Sequence, residues 1–108
     1  MSVIRDLSGK VLIADQTYFV DADLLRIAVR EGADLRRANL AGWDLSKMDL
    51  SHTDFSGASF IDADLTATDF SYCDLRGAFF LGATITAETR FKDILFFGSE
   101  FEGSQVEK

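Results

Sequence analysis

Proline is absent from this 108-residue chain, and cysteine, histidine and tryptophan occur once each. Cations are also scarce, with 11 Lys and Arg against 18 Asp and Glu, a formal charge of -7. A lone cysteine excludes an internal disulfide, and residues 1–10 contain no apolar signal core, so a reducing cytoplasm is the expected compartment. One cysteine and one histidine cannot build a Cys and His zinc site. The cation deficit, with no run of Lys and Arg, argues against direct binding to nucleic acid or to an anionic membrane. No apolar stretch approaches the roughly 20 residues of a membrane span. The length allows one domain.

What the sequence holds in place of these features is a period. From Leu35 a large apolar residue recurs at every fifth position: Leu35, Leu40, Leu45, Leu50, Phe55, Phe60, Leu65, Phe70, Leu75, Phe80 and Ile85. Leu, Ile and Phe make up only 28 of the 108 residues, so eleven hits in step are a repeat and not an accident of composition. The spacing then slips by one residue between Thr86 and Arg90 and resumes as Phe91, Phe96 and Phe101. Two residues before each centre the chain is usually small, as at Ala38, Ala58, Thr68, Cys73 and Ala83, with Trp43, Met48 and Ile94 as exceptions. The residue just before the centre is usually acidic or polar.

A period of five matches neither the 3.6 of a helix nor the 2.0 of a strand. If each pentapeptide forms one side of a square and turns a corner, every fifth side chain points to a common axis, and four sides close one coil. Stacked coils pair their backbones as parallel strands do and satisfy the buried amides. The small residue also faces the axis, because a second large side chain per side would overfill the tube.

The units Ala33-Asp34-Leu35-Arg36-Arg37, Ala38-Asn39-Leu40-Ala41-Gly42 and Ala63-Asp64-Leu65-Thr66-Ala67 match the motif A(D/N)LXX. Over residues 33–103 the chain thus resembles the pentapeptide-repeat family. The resemblance implies an all-β solenoid, a right-handed quadrilateral β-helix of about three and a half coils, a rod of about 17 Å at the usual strand spacing. It also implies a capping helix at the N-terminal end, and a function by analogy with acidic dimeric members that bind DNA gyrase in place of DNA.

Residues 1–32 lack the repeat and form the expected cap. Val3-Ile4 and Val11-Leu12-Ile13 flank Asp6-Leu7-Ser8-Gly9, which predicts a hairpin. Residues 21–31 predict an amphipathic helix, with Asp21 at its start, Leu24, Ile27 and Ala28 on one face, and Gly32 as its stop. Trp43 and Met48, in the first coil, are expected to pack under this helix, with a ligand contact the alternative for Trp43. Residues 33–103 are the β-helix, and residues 104–108 are expected to be a disordered tail.

The survey for chemistry yields no catalytic, cofactor or metal residue. His52 falls at an outward position, and Cys73 replaces an inward alanine, so both have structural readings. Two surfaces remain. Asp34, Asp54 and Asp74 stack on one side, Asp44 and Asp64 on another, and Asp49 and Asp69 on a third. Phe79, Leu81, Leu95 and Phe97, with Ile61 one coil below Leu81, form an apolar patch near the C-terminal end. The expected protein is a non-enzymatic binder, active in a bacterial cytoplasm and encoded by a bacterium or its phage. In one reading it is a DNA-mimicking inhibitor of a DNA-binding enzyme such as a topoisomerase or phage-defence nuclease, since B-DNA presents one charge per about 1.7 Å. In the other it is a scaffold module that docks a protein partner through the apolar patch. A homodimer formed through the C-terminal coil, which covers the open end and the patch about a two-fold axis, is expected and supports the mimicry reading, the alternative being that the segment after Arg90 folds back and buries these residues within one subunit.

Overall fold

The computed structural model describes residues 2–15, 21–98 and 105–106. The repeat region carries almost no extended strand. Single parallel bridges instead join Asn39 to Ser59, Asp44 to Asp64, Asp49 to Asp69 and Asp54 to Asp74, each pair twenty residues apart and each on a different side. Ser59 to Phe79 and Asp64 to Thr84 continue two of these sides. Beyond Thr86 the step becomes twenty-one, with Asp69 bridged to Arg90 and Asp74 to Leu95. The inserted residue therefore lengthens one corner and leaves the stacking intact.

Each unit settles its backbone in the same way. The residue before the centre donates its N–H to the coil before it, as Asp64 does to the Trp43 carbonyl at 2.9 Å. The centre donates to the coil after it, as Leu45 does to the Asp64 carbonyl at 2.9 Å. The corner closes with an i to i+3 bond, such as Met48 N–H to the Leu45 carbonyl at 3.2 Å. The second corner residue has positive φ, as a type II turn requires. Glycine fills it at several corners, but Arg37, Lys47, His52, Asp62, Ala67, Tyr72 and Asp93 adopt φ of 52–62° there.

The centres from Leu35 to Phe80 are all at most 1% exposed. Phenylalanine fills the middle of the tube: Phe60 stacks on Phe80 at 5.1 Å between centroids and Phe70 on Phe91 at 5.6 Å, while Phe60 meets Phe55 and Phe70 edge-on. Ala38, Ala58, Ala63, Ala78 and Ala83 are buried beside them. The polar members of that column are satisfied: Thr68 Oγ1 donates to the Leu45 carbonyl at 2.9 Å and Cys73 Sγ to the Leu50 carbonyl at 3.0 Å. Phe96 departs from the rule that centres are buried, being 59% exposed, because no described coil stacks beyond it. Ser99 and Phe101 lie outside the described residues.

At the other end β1 (Ser2–Arg5) and β2 (Val11–Asp15) pair antiparallel. The connecting turn is held by Asp6, whose Oδ1 accepts from the N–H groups of Ser8 and Lys10 and from the Ser8 hydroxyl. The hairpin is also part of the ladder. Asp6 bridges Ala38 in antiparallel sense, with Leu7 N–H donating to the Arg37 carbonyl and Asn39 N–H to that of Arg5. Helix α1 (Asp21–Arg30) follows, with Asp21 and Asp23 in its first turn and Arg30 in its last, both favourable to the helix dipole. It ends in a Schellman motif: Ala33 N–H bonds the Ala28 carbonyl, Gly32 N–H bonds that of Val29, and Gly32 takes φ of 71°.

Two expectations change here. The buried face of α1 is Leu24, Leu25 and Ala28, which join the cluster of the coil centres, while Ile27 is only half-buried. The helix is thus rotated so that adjacent leucines both reach the tube. Gln105–Val106, expected within a disordered tail, form β4 and pair in parallel with β3 (Thr84–Ile85) at the same twenty-one-residue step. That pairing gives side β3 an outer neighbour. The molecule measures 38 × 23 × 22 Å.

Candidate functional site

The acidic columns are first of all corner fixtures. In unit after unit the carboxylate Oδ1 accepts the N–H two residues on: Asp34 from Arg36, Asp44 from Ser46, Asp49 from Ser51, Asp54 from Ser56, Asp64 from Thr66, Asp69 from Ser71 and Asp74 from Arg76, at 2.8–3.1 Å. Asn39 does the same for Ala41 at 3.2 Å. This bond ties down a donor that the coil-to-coil ladder leaves over, and it explains an acidic or amide residue at this point of the repeat. The hydroxyls of Ser46, Ser51 and Thr66 add a second bond to the same oxygen. These bonds hold the carboxyls of Asp44 and Asp49 below the usual carboxylate range.

The columns differ in free charge. Arg36 binds Asp34 through two nitrogens and Arg76 binds Asp74 likewise, and the Asp34 carboxyl is lowered to about 2 by its bonds to Arg36. The bonds to Asp34 and Asp74 raise both guanidinium groups, and Asp54, lying between them, adds a smaller pull. The Asp34, Asp54 and Asp74 column is therefore largely neutralised. Asp44 with Asp64 and Asp49 with Asp69 stack as bridged pairs that carry no ion pair among the described residues. Residues 1–37 contain six cations and six anions, so the whole net charge of -7 lies on residues 38–108.

The apolar patch is only partly as expected. Leu81 and Leu95 are 54% exposed and Phe97 is 89% exposed, whereas Ile61 and Phe79 are half-buried. Phe79 loses exposure because it sits mid-side, bridged onto Ser59, while the exposed residues occupy corners or the last coil. Phe96 joins the patch, and with Arg76, Ile94, Leu95 and Phe97 it lines an open cleft of about 250 Å³. Sequence reasoning missed Phe96 because a centre at an end looks like any other centre.

The remaining singled-out residues have structural places. Met48 is buried. Trp43 is half-buried against the core and lines a shallow cavity with Asp21 and Ala22 of α1. His52 is exposed and stacks on Tyr72 at 4.7 Å, with Lys92 Nζ 5.8 Å from the Tyr72 centroid. Burial pushes the Cys73 thiol up to about 11, far from nucleophilic reactivity. Among the described residues no group of three or more His, Cys, Asp or Glu could hold a metal ion, and no helix is long and apolar enough to cross a membrane.

This geometry can be set beside known proteins. A family model described as pentapeptide repeats matches residues 33–71 and 63–87, with eight copies. No curated protein matches the chain. Among solved structures, the pentapeptide repeat protein Rfr23 from the cyanobacterium Cyanothece 51142 is similar with a TM-score of 0.53 and 24% identity, over 57% of this chain and 42% of that one. A pentapeptide repeat protein from the thylakoid lumen of Arabidopsis thaliana is 29% identical over 66% of this chain and 63% of that one, with a TM-score of 0.32. The chain spans less than two thirds of the length of either. With half of its residues matched by the repeat model and its bridges spaced one four-sided coil apart, the chain belongs to the pentapeptide repeat family, whose members fold as right-handed quadrilateral β-helices.

Proposed function

We propose that this protein is a non-catalytic binding module that docks through its C-terminal end, and that the first occupant of that end is a second copy of the chain. The observation that carries the reading is the cluster of Leu81, Leu95, Phe96 and Phe97, each more than half exposed at one end of the rod. Exposed aromatic side chains grouped beside an apolar cleft are the composition of an interface core. A two-fold axis through that end would bury the cluster against itself and would keep the acidic coils of both copies facing water. Light scattering tests it. The wild type should have twice the 12.0 kDa mass of one chain, and Phe97→Glu should return it to that of one chain. A monomeric wild type overturns the dimer and leaves the cluster to a different protein.

A second reading is favoured by the concentration of the net charge on the coils. The unpaired columns Asp44 with Asp64 and Asp49 with Asp69 would present a DNA-like acidic surface to the basic groove of a DNA-processing enzyme, such as a topoisomerase or a phage-defence nuclease. Binding of that kind weakens steeply with salt, whereas docking through the apolar cluster does not. The test is competition with duplex DNA for such enzymes at rising ionic strength, with Asn replacing all four Asp. Retained competition by the Asn variant overturns mimicry.

A further inference from the structure

We propose that the cleft between the N-terminal hairpin and the first coil binds a phosphate-class oxyanion. The cleft has a volume of about 320 Å³ and is built from the hairpin turn, the corner at Arg36 and Arg37, and Ser56 of the next coil. Four donors meet there. Among the described residues Lys10 and Arg37 take part in no hydrogen bond or ion pair through their side chains, and they act on Asp34 and Asp6 only across a longer charge separation. Among the described residues Ser56 keeps its hydroxyl uncommitted, whereas Ser46 and Ser51 at the equivalent positions give theirs to Asp44 and Asp49. Arg36 uses Nε and Nη2 on Asp34, which leaves Nη1 without a partner among the described residues.

The two carboxylates of the cleft are already engaged. Asp34 is held bidentate by Arg36, and the Asp6 Oδ1 accepts three bonds from Ser8 and Lys10. With Asp54 beside Arg36, three cations stand against three anions, so the surroundings of the cleft are charge-balanced in a protein of charge -7 and the cleft offers donors, not net charge. Arg37 is also placed: a Cβ on Gly57 would stand 3.0 Å from Arg37 Cγ, so the missing side chain at Gly57 lets the Arg37 stem lie across the next coil. Convergent guanidinium, ammonium and hydroxyl donors match the several acceptor oxygens of a phosphate group. The ligand is either the free ion or a phosphate monoester, and the site does not depend on docking at the C-terminal end.

Amide spectra of the full chain, titrated with inorganic phosphate and separately with phosphoserine at ionic strength held constant with chloride, test the proposal. Saturable shifts are expected at the amides of Lys10, Arg37 and Ser56, and the double variant Lys10→Gln with Arg37→Gln should weaken binding by about tenfold or more. Both residues are exposed, so the variant should keep the wild-type spectrum in the coils. Tighter binding of phosphoserine would support a monoester ligand, and tighter binding of inorganic phosphate the free ion. Shifts that never saturate, or that are equal in the double variant, overturn the site.

Discussion

An aspartate of the repeat does two separable things. Its oxygen holds the corner, and its charge faces solvent. Asn39 shows that an amide serves the first purpose without the second, since its Oδ1 accepts the Ala41 N–H in the same way. Asp49→Asn should therefore leave the unfolding free energy within about 0.5 kcal/mol of wild type, whereas Asp49→Ala, which strands the Ser51 N–H and hydroxyl, should cost about 1 kcal/mol. Urea denaturation of the two variants checks this, and equal losses would mean that charge, not the acceptor, matters at the corner. The same logic makes Asn the substitution that reports on acidic-surface binding without harming the coil. The carboxyls at 34, 54 and 74 looked equivalent in sequence to the others. Only the positions of Arg36 and Arg76, two residues on, distinguish them, and the repeat rule treats those positions as variable.

At the scale of the element, the corner is where the chain is under constraint. Glycine meets the positive φ without a steric penalty, and an L residue there gives up roughly 1 kcal/mol. Gly42 has open space around it, so Gly42→Ala should cost about 1 kcal/mol from backbone conformation alone. At Gly82 an added Cβ would overlap the Asp62 carboxylate of the coil below, and Gly82→Ala should cost about 2 kcal/mol. Chemical denaturation separates the two, and equal costs would show that the Asp62 side chain swings aside freely.

The sides of the coil were legible because one column of large apolar residues, from Leu35 to Ile85, reports the inward direction at every step. The slip after Thr86 was legible for the same reason. The corner conformation was not, since Arg37, Lys47 and Tyr72 give no sign of a left-handed backbone in their identity. The docking of the hairpin onto Ala38 was also hidden, because a repeat predicts only its own neighbours. The exposed cluster was half legible: Leu81, Leu95 and Phe97 break a polar pattern, but Phe96 obeys its column and is exposed only by its place at the end.

For the whole molecule, acid is the informative variable. The carboxyls of Asp6, Asp34, Asp44, Asp49 and Asp74 all lie below their ordinary value, held there first by hydrogen bonds. A depressed carboxyl contributes stability that is complete above its unfolded value of 3.8 and is lost as pH falls through the folded one. Stability should thus fall as pH drops from about 4 toward about 2, the value to which the Asp34 carboxyl is lowered. Urea midpoints at stepped pH check this, and a loss centred above pH 5 would contradict it.

The antiparallel junction of Asp6 with Ala38 also limits how these rods can assemble. A coil can stack only on a face that offers the four-sided parallel register, and the hairpin occupies that face at one end. Among the described residues, head-to-tail addition, which turns open solenoids into filaments, therefore meets the hairpin and not an open coil at that face. Under the proposed docking through the exposed end, association would close after two chains, so raising the concentration should populate pairs and not a growing polymer.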